Sequence, residues 1–290
     1  MGNPGNVTLF VSIPKFLATA DENGLPNIVP VISLSAVNEK RIIFAEFMLW
    51  KTRKNLEVNS NVGVGLITED LRVYTIRGNF EGFQKSGEYF DYLSNKDMFR
   101  YNAYTGIRSA GVIKVEELTQ SLSISKLQVL SEVMKIRFLK RITHLPSTGN
   151  ASALQTSLRS TDRQIQAGVR TQTGKPKLPP QVKEKFNRVA GAKFLSYLNR
   201  EGYPTATCLV SLMPLDGNTL IFSISRGGEE ISKVKPKTLV AASVITFEPI
   251  AYQVKGTLEG FKNYLGLRAG IIKVSEVYSA CPPLAGKRIA

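Results

Sequence analysis

The residues best suited to binding chemistry lie in the stretch 44–56, where an apolar strand pattern ends and a helical pattern begins at Thr52. A helix N-terminus presents unpaired backbone N–H groups and a partial positive charge. Thr52 adds a hydroxyl group, and Lys51 and Arg53 add full positive charges. Together they predict a phosphate site held by charge-assisted hydrogen bonds. The alternative is a threonine N-cap flanked by ordinary surface lysines.

Other reactive side chains are sparse. His144 is the only histidine, which excludes a His-rich metal site and any mechanism that needs two histidines. Cys208 and Cys281 lack the spacing of metal ligands, and we expect both to be reduced, with at least one packed as a small apolar residue. The sequence shows no Ser-His-Asp or paired-carboxylate pattern, so hydride or electron transfer would depend on a bound cofactor.

Length and composition are those of a globular protein. The 290 residues, 43% hydrophobic and 21% charged, allow two domains of ordinary size. No apolar run approaches the length of a membrane span, and the first residues lack the basic and apolar regions of a signal peptide. We therefore expect a cytoplasmic protein with no membrane partner.

The net charge of +15 is concentrated in one segment. Residues 121–190 contain thirteen Lys and Arg against three Asp and Glu, a net of +10. Such a segment favours an anionic partner and predicts weak, sequence-independent binding of nucleic acid that disappears near physiological salt. Aromatic residues for base stacking are scarce there, since Phe138 and Phe186 are the only two and both occupy helical positions suited to packing.

The chain repeats itself at a constant offset of 178 residues. Residues 15–17 match 193–195, and 81–83 match 259–261, without a gap between them. Near the end of each copy the offset becomes 159, where 110–115 match 269–274. The first copy therefore carries an insertion of 178 − 159 = 19 residues within 84–109. An internal repeat of this length predicts two similar units.

Each copy is rich in Val, Ile, Phe and Tyr and is typical of strands. In the first copy we predict a short helix over 52–58 and strands over 16–20, 27–36, 41–46, 62–68, 73–83 and 111–118. Five or six antiparallel strands with one short helix favour a small closed barrel, which removes exposed sheet edges. A β-sandwich is the alternative.

The middle of the chain differs from both copies. Residues 125–142 place apolar side chains at helical spacing: Leu127, Leu130, Met134, Phe138 and Ile142. This predicts an amphipathic helix packed on a barrel, with a solvated basic face. Residues 147–177 are rich in Ser, Thr, Gln and Gly, which indicates a mobile connector, and a helix is predicted from 179 to 189. The predicted domains are 1–120, 121–178 and 179–290.

Three segments together resemble the pyridoxamine 5′-phosphate oxidase-like FMN-binding split barrels. They are 21–31 with its Asn-Gly turn, the Lys51-Thr52 turn followed by Asn55-Leu56, and 74–78. The ending, from 274–278 to 285–289, is also similar to members of that group. The resemblance covers nearly all of both repeats and none of the connector, and it depends on the order and spacing of the motifs.

The resemblance implies a set of cofactor-binding residues. In such proteins the Lys-Thr pair at the strand-to-helix turn holds the FMN phosphate, here Lys51 and Thr52, with Arg53 beside them. The other positions implied are Pro30, Val31, Ile32 and Ser33 beside the cofactor, and Ala45, Glu46 and Phe47 along the isoalloxazine edge. Plain barrel packing is the alternative for these strand residues, and a deazaflavin could replace FMN.

Two departures from the family pattern shape the functional hypothesis. At the offset of 178, Lys51 and Thr52 correspond to Glu229 and Glu230, and two carboxylates at a helix start repel a phosphate. We therefore expect one flavin site per chain, with the second barrel as a wall of that site and as an intramolecular pseudo-dimer partner. A further homodimer of the whole chain is left open.

The second departure is the ending 282–290, which lacks the arginine- and tryptophan-rich segment implied for true pyridoxamine phosphate oxidases. The leading hypothesis is a flavoprotein oxidoreductase or flavin carrier of unknown substrate. A nucleic-acid or anionic-surface binder using the basic connector, and a ligand-free structural barrel, are the alternatives. Haem is disfavoured because the chain has a single histidine.

Overall fold

The computed structural model describes residues 13–96, 106–143, 178–224, 229–264, 266–281 and 284–290. They form two seven-stranded antiparallel sheets joined by short helices, so the predicted mainly β fold is confirmed. His144 and the predicted connector 147–177 lie outside these residues.

The first sheet holds strands β1 to β7 in the spatial order β2-β1-β5-β6-β7-β4-β3. Their bounds are β1 Lys15–Ala20, β2 Pro26–Pro30, β3 Ser35–Asn38, β4 Arg41–Ala45, β5 Asn61–Ile67, β6 Arg72–Gln84 and β7 Ala110–Ser123. Register shifts interrupt the pairing of β6 with β7 at three places. Bulges of this kind increase local twist, which lets these two long strands curl the sheet.

The second sheet holds strands β8 to β14, and its order β9-β8-β12-β13-β14-β11-β10 is that of the first sheet. Their bounds are β8 Ala192–Ser196, β9 Thr207–Cys208, β10 Met213–Pro214, β11 Thr219–Ser223, β12 Thr238–Ile245, β13 Ala251–Tyr264 and β14 Leu267–Ser279. Registers agree as well, since Phe44 lies opposite Gly111 and Phe222 opposite Gly270. Each of these glycines makes room for the opposite phenylalanine ring.

The predicted strand over 27–36 is wrong, because the chain forms two strands there. Pro30 ends β2, and the Leu34 N–H donates to the Val31 carbonyl at 3.2 Å, which closes a turn. The Val31 N–H still donates to the Lys15 carbonyl of β1 at 2.8 Å, and after the turn the chain leaves β1 and pairs with β4 as β3. The unbroken apolar pattern of this segment hid the turn.

The described residues also form five helices: α1 Trp50–Val58, α2 Glu88–Ser94, α3 Lys126–Thr143, α4 Pro180–Asn187 and α5 Glu229–Ser232. Helix α2 lies within the predicted 19-residue insertion and packs Leu93 against β4 and β7. The corresponding face of the second sheet is covered by α3 instead. The two copies thus protect the same sheet face with helices from different parts of the chain.

The predicted packing face of α3 is wrong. Leu127, Leu130, Met134 and Phe138 are 78%, 53%, 55% and 62% exposed. The helix packs on the second sheet through Val133, Ile136 and Leu139, which lie on its opposite side. The helix has two apolar stripes, and the spacing of one stripe does not reveal which faces the protein. Phe186 of α4, by contrast, is fully buried as predicted.

The two sheets share one apolar interface. Phe16 of β1 and Phe194 of β8, which correspond at the offset of 178, stack with their ring centroids 4.5 Å apart. Both are fully buried in a cluster that draws residues from both sheets. Gln253 donates to the Ile28 carbonyl at 2.6 Å, and Thr75, its counterpart, donates to the Ala206 carbonyl at 3.2 Å.

Replacing Phe16 by Ala should lower the free energy of unfolding by about 3–5 kcal/mol, because it removes a buried ring and leaves a cavity between the sheets. Urea unfolding of the full chain measures this change. Phe247→Ala is the control, since Phe247 is 86% exposed and its loss should change stability by less than about 0.5 kcal/mol. Equal effects of the two changes would contradict the role given to the stacked pair.

Candidate functional site

A cavity of about 430 Å³ lies between the two sheets. The first sheet and α1 contribute Asn27, Val29–Ser33, Ala45 and Phe47–Thr52 to its lining, and the second sheet with the chain end contributes Ile245, Pro249, Ala251, Gln253, Tyr278–Cys281, Ala285 and Gly286. Eight of the ten predicted site residues are therefore together in one cavity.

The start of α1 forms one end of this cavity. The helix begins at Trp50 rather than at Thr52 as predicted, which places Lys51 and Thr52 inside its first turn. Leu49 at the N-cap gives no side-chain cap, and the first turn has no acidic residue. Backbone N–H groups of this turn therefore remain available to an anion. Thr52 is buried, and its hydroxyl oxygen accepts a hydrogen bond from the Asn27 side-chain amide at 3.3 Å.

Two lysines meet at this end. The Lys51 ammonium lies 3.9 Å from the centre of the Tyr278 ring, a cation–π contact between the sheets. Burial lowers the pKa of Lys51, partly offset by Glu276. Lys255 of β13 is buried, and burial together with the nearby Lys51 charge lowers its pKa to about 8. Two cations held close in a partly dry site favour an anion that neutralises both.

The Tyr278 hydroxyl donates to a Glu276 carboxylate oxygen at 2.8 Å. Burial and this carboxylate raise the pKa of Tyr278 to about 12. The phenol therefore keeps its proton at neutral pH, and the ring acts as an uncharged surface beneath Lys51.

The walls of the cavity are mostly apolar. Pro30–Ser33 line one side, at the turn that follows β2, and Ile245, Pro249 and Ala251 line the other. Met48, at the cavity edge, has a φ of 53°, a left-handed conformation that costs energy for a side chain of this size. Gln253 lines the cavity while holding the Ile28 carbonyl, so the contact that joins the sheets also shapes the site.

Glu46 and Arg53 do not line the cavity. The Arg53 guanidinium lies 2.7 Å from a Glu46 carboxylate oxygen, and the Ser109 hydroxyl donates to the same oxygen. Arg53 also pairs with Glu57 one turn along α1 at 2.9 Å. Since the Glu46 side chain is only 3% exposed, the pair anchors α1 to the end of β4. Its contribution to the cavity is to hold the first turn of α1 in place.

The residues that the sequence analysis missed come from the second copy. Lys255, Gln253 and Tyr278 lie more than 200 positions from Lys51 in the chain, and no local pattern links them. Only the repeat could have indicated them, since it predicts that two similar units pack together. Even so, the repeat does not say which face of each unit is shared.

The second copy differs from the first at the positions that correspond to Pro30, Lys51 and Thr52. Cys208, the counterpart of Pro30, packs with Leu71 and Ile124 against the cluster between the sheets. Burial raises the pKa of the Cys208 thiol to about 12, so the residue is uncharged and behaves as the expected small apolar side chain. Glu229 and Glu230 open α5, which has only four residues, and Glu230 pairs with Lys233.

The described residues offer neither a metal site nor a membrane-spanning helix. No cluster of three or more His, Cys, Asp or Glu side chains that could hold a metal occurs in the described part of the chain. None of the described helices combines the length and the apolar character needed to cross a membrane.

Residues 13–129 match the protein family described as pyridoxamine 5′-phosphate oxidase, so the resemblance inferred from the sequence is confirmed for this segment. Among solved structures, HupZ of Group A Streptococcus is 25% identical, with 43% of this chain and 99% of that chain covered and a TM-score of 0.35. An FMN-binding protein from Syntrophomonas wolfei subsp. wolfei is 20% identical, with 41% and 85% covered and a TM-score of 0.35. An F420 reductase is 17% identical, with 42% and 98% covered and a TM-score of 0.30. No curated protein matches the chain significantly.

Replacing Arg53 by Gln should lower the free energy of unfolding by about 2 kcal/mol, because it leaves the buried Glu46 carboxylate without its cation. This figure lies below that of a fully buried pair, since Arg53 is one-third exposed. Thermal unfolding measures the change, with Lys54→Gln, an exposed neighbour in α1, as the control. An Arg53→Gln protein as stable as the control would contradict the anchoring role.

Proposed function

We propose that the cavity between the sheets binds one flavin nucleotide per chain, FMN or a related deazaflavin, and that the protein is a flavin-dependent oxidoreductase or a flavin carrier. The observation that carries this proposal is the placing of Lys51 and the first turn of α1 at one end of an apolar cavity, with Lys255 next to Lys51. A nucleotide of this kind has an anionic phosphate at one end and a flat ring at the other, and the cavity has the complementary groups.

The phosphate would be held by three kinds of donor. Backbone N–H groups of the first turn of α1, the Thr52 hydroxyl and the Lys51 ammonium converge on the same end, and Lys255 supplies a second charge. Charge-assisted hydrogen bonds are about twice as strong as neutral ones, and they are stronger still where water is excluded. Arg53 takes no direct part, because Glu46 and Glu57 already pair with it.

The isoalloxazine ring of the flavin would lie between the two sheets. Pro30, Val31, Ile32 and Ser33 offer one wall, and Ala45 and Phe47 offer the edge. Ile245 and Ala251 of the second sheet offer the facing wall. The second barrel would thus act as an intramolecular partner of the first. When bound, a flavin supplies the hydride or electron transfer, and these residues orient its ring and exclude water.

The second copy would not bind a flavin. Its helix start carries Glu229 and Glu230 in place of Lys51 and Thr52, and α5 has a single turn. A carboxylate at each of the two positions would also repel the phosphate.

The flavin hypothesis is favoured over the two alternatives. A nucleic-acid binder would need aromatic residues for base stacking in the basic segment, and Phe138 and Phe186 are the only two in residues 121–190. A ligand-free barrel would need no cationic pair at the end of an apolar cavity, and keeping Lys255 buried has a desolvation cost that an anion would offset.

Titration of the apo-protein with FMN should show one site per chain. Trp50 is the only tryptophan and lines the cavity, so its fluorescence should fall as the flavin binds. Replacing Lys51 by Ala should weaken FMN about tenfold or more, because one charge-assisted phosphate contact of about 1.5–3 kcal/mol is lost. Riboflavin has no phosphate and should bind both proteins equally.

Lys54→Ala is the matched control, since Lys54 is an exposed lysine three residues further along α1 and should leave FMN affinity unchanged. Two equivalent sites would contradict the asymmetry between the copies. An FMN affinity that does not respond to Lys51→Ala would show that the phosphate binds elsewhere.

FMN affinity should also fall as the pH rises from about 8 to about 10. Lys255 has a pKa of about 8 in the free protein, and a bound phosphate should raise it towards its ordinary value. The extra attraction is therefore complete below pH 8 and is lost as Lys255 gives up its proton in the complex. Lys255→Gln should bind more weakly and show a flatter profile. A flat profile for the unaltered protein would argue against Lys255 as a phosphate partner.

A further inference from the structure

The outer face of α3 carries an apolar stripe that nothing in the described structure covers. Leu127, Leu130, Met134 and Phe138 are each more than half exposed. At 100° per residue these four side chains fall within about 80° of the helix circumference. The buried residues Val133, Ile136 and Leu139 are centred on the opposite side, so the helix is apolar on two faces and the outer one forms a ridge.

Basic side chains border this ridge. Lys126 and Arg137 lie along one side of the stripe, Lys135 lies along the other, and Arg141 follows Phe138 at its C-terminal end. All four residues are exposed, and Arg137 also donates to the Asn187 carbonyl of α4 at 3.3 Å. The single acidic residue of the helix, Glu132, turns towards the second sheet, where the Ser223 hydroxyl donates to it. Its side chain is 13% exposed and lies 3.0 Å from the Lys135 ammonium. The ridge therefore presents a net positive charge around an apolar centre.

We propose that the outer face of α3 docks on an anionic lipid surface, with its apolar side chains at the headgroup boundary and its basic side chains among the headgroups. An apolar stripe with Lys and Arg at its borders is typical of helices that lie in a membrane interface. Such contact requires no spanning segment. It departs from the expectation of no membrane partner, which considered only spans and signal peptides.

Other occupants fit the ridge less well. A second copy would bring an identical ring of four cations against the first, and like charges repel. Residues 144–177, which follow the helix, contain five Lys and Arg against one Asp and would meet the same repulsion. Four side chains of this exposure amount to a few hundred Å², whereas a stable protein partner buries roughly 800 Å² on each side. A lipid surface adds to the apolar contact an attraction worth roughly fivefold in partitioning for each basic residue near the headgroups.

The test is sedimentation of the full-length protein with vesicles of phosphatidylcholine alone and of phosphatidylcholine mixed with phosphatidylserine. Binding is expected to the mixed vesicles and not to the neutral ones, and it should weaken as salt is raised. Leu130→Ser combined with Phe138→Ser should reduce partitioning about tenfold or more, because the two largest apolar contacts near the middle of the stripe are lost.

Leu118→Ser combined with Phe247→Ser is the matched control, since these side chains are 53% and 86% exposed elsewhere on the molecule. It should leave partitioning unchanged. Lys135→Gln with Arg141→Gln should weaken binding to the mixed vesicles more than Lys40→Gln with Lys85→Gln does, although both pairs remove two exposed positive charges. Unchanged melting temperatures would show that all variants are folded.

Several outcomes would overturn the proposal. One is absence of binding to the mixed vesicles at low salt. Another is binding that survives the Leu130→Ser and Phe138→Ser changes, which would assign the attraction to other basic residues of the chain. A third is a concentration-dependent dimer that these two changes abolish, which would make a second copy the occupant.

Discussion

The structure depends on the packing of one sheet against the other through the stacked rings of Phe16 and Phe194. Each sheet alone would expose these rings and the apolar cluster around them, and a surface of that kind is costly in water. The same interface creates the cavity, because its two walls come from different sheets and Lys51 of the first copy meets Tyr278 of the second at its polar end. The contact between the two sheets therefore both stabilises the protein and forms the cavity.

Placing both sheets in one chain has a consequence for symmetry. Two identical subunits would present two identical cavities, since an isologous interface repeats every contact. Here the strand order and registers agree, yet the helix starts differ: Lys51 and Thr52 in one copy, Glu229 and Glu230 in the other. The covering helices differ as well, α2 on the first sheet and α3 on the second. The two copies thus share strand order and register, whereas their helix starts and their outer surfaces differ.

Sequence patterns predicted most of this fold and eight of the 23 residues that line the cavity. Alternating apolar residues and the repeat located the strands, because both signals are local or hold a constant offset. The break at Pro30 escaped notice because apolar residues continue through it. Glu46 was expected along the cofactor edge from the family resemblance, and Arg53 from its place beside Lys51 and Thr52, but the two side chains pair with each other instead of lining the cavity. Lys255, Gln253 and Tyr278 required knowledge of which sheet faces meet.

Helix α3 shows how a correct pattern can support the wrong conclusion about burial. The spacing of Leu127, Leu130, Met134 and Phe138 predicted a helix with one apolar face, and the helix is present. The protein, however, uses Val133, Ile136 and Leu139, which pack against Met213, Ile221 and Ala269 of the second sheet. The other apolar stripe remains outside, bordered by Lys and Arg. Helix α3 already packs on the second sheet through one apolar face, so its folding does not require a second one. The outer stripe therefore fits a binding partner better than an extension of the core.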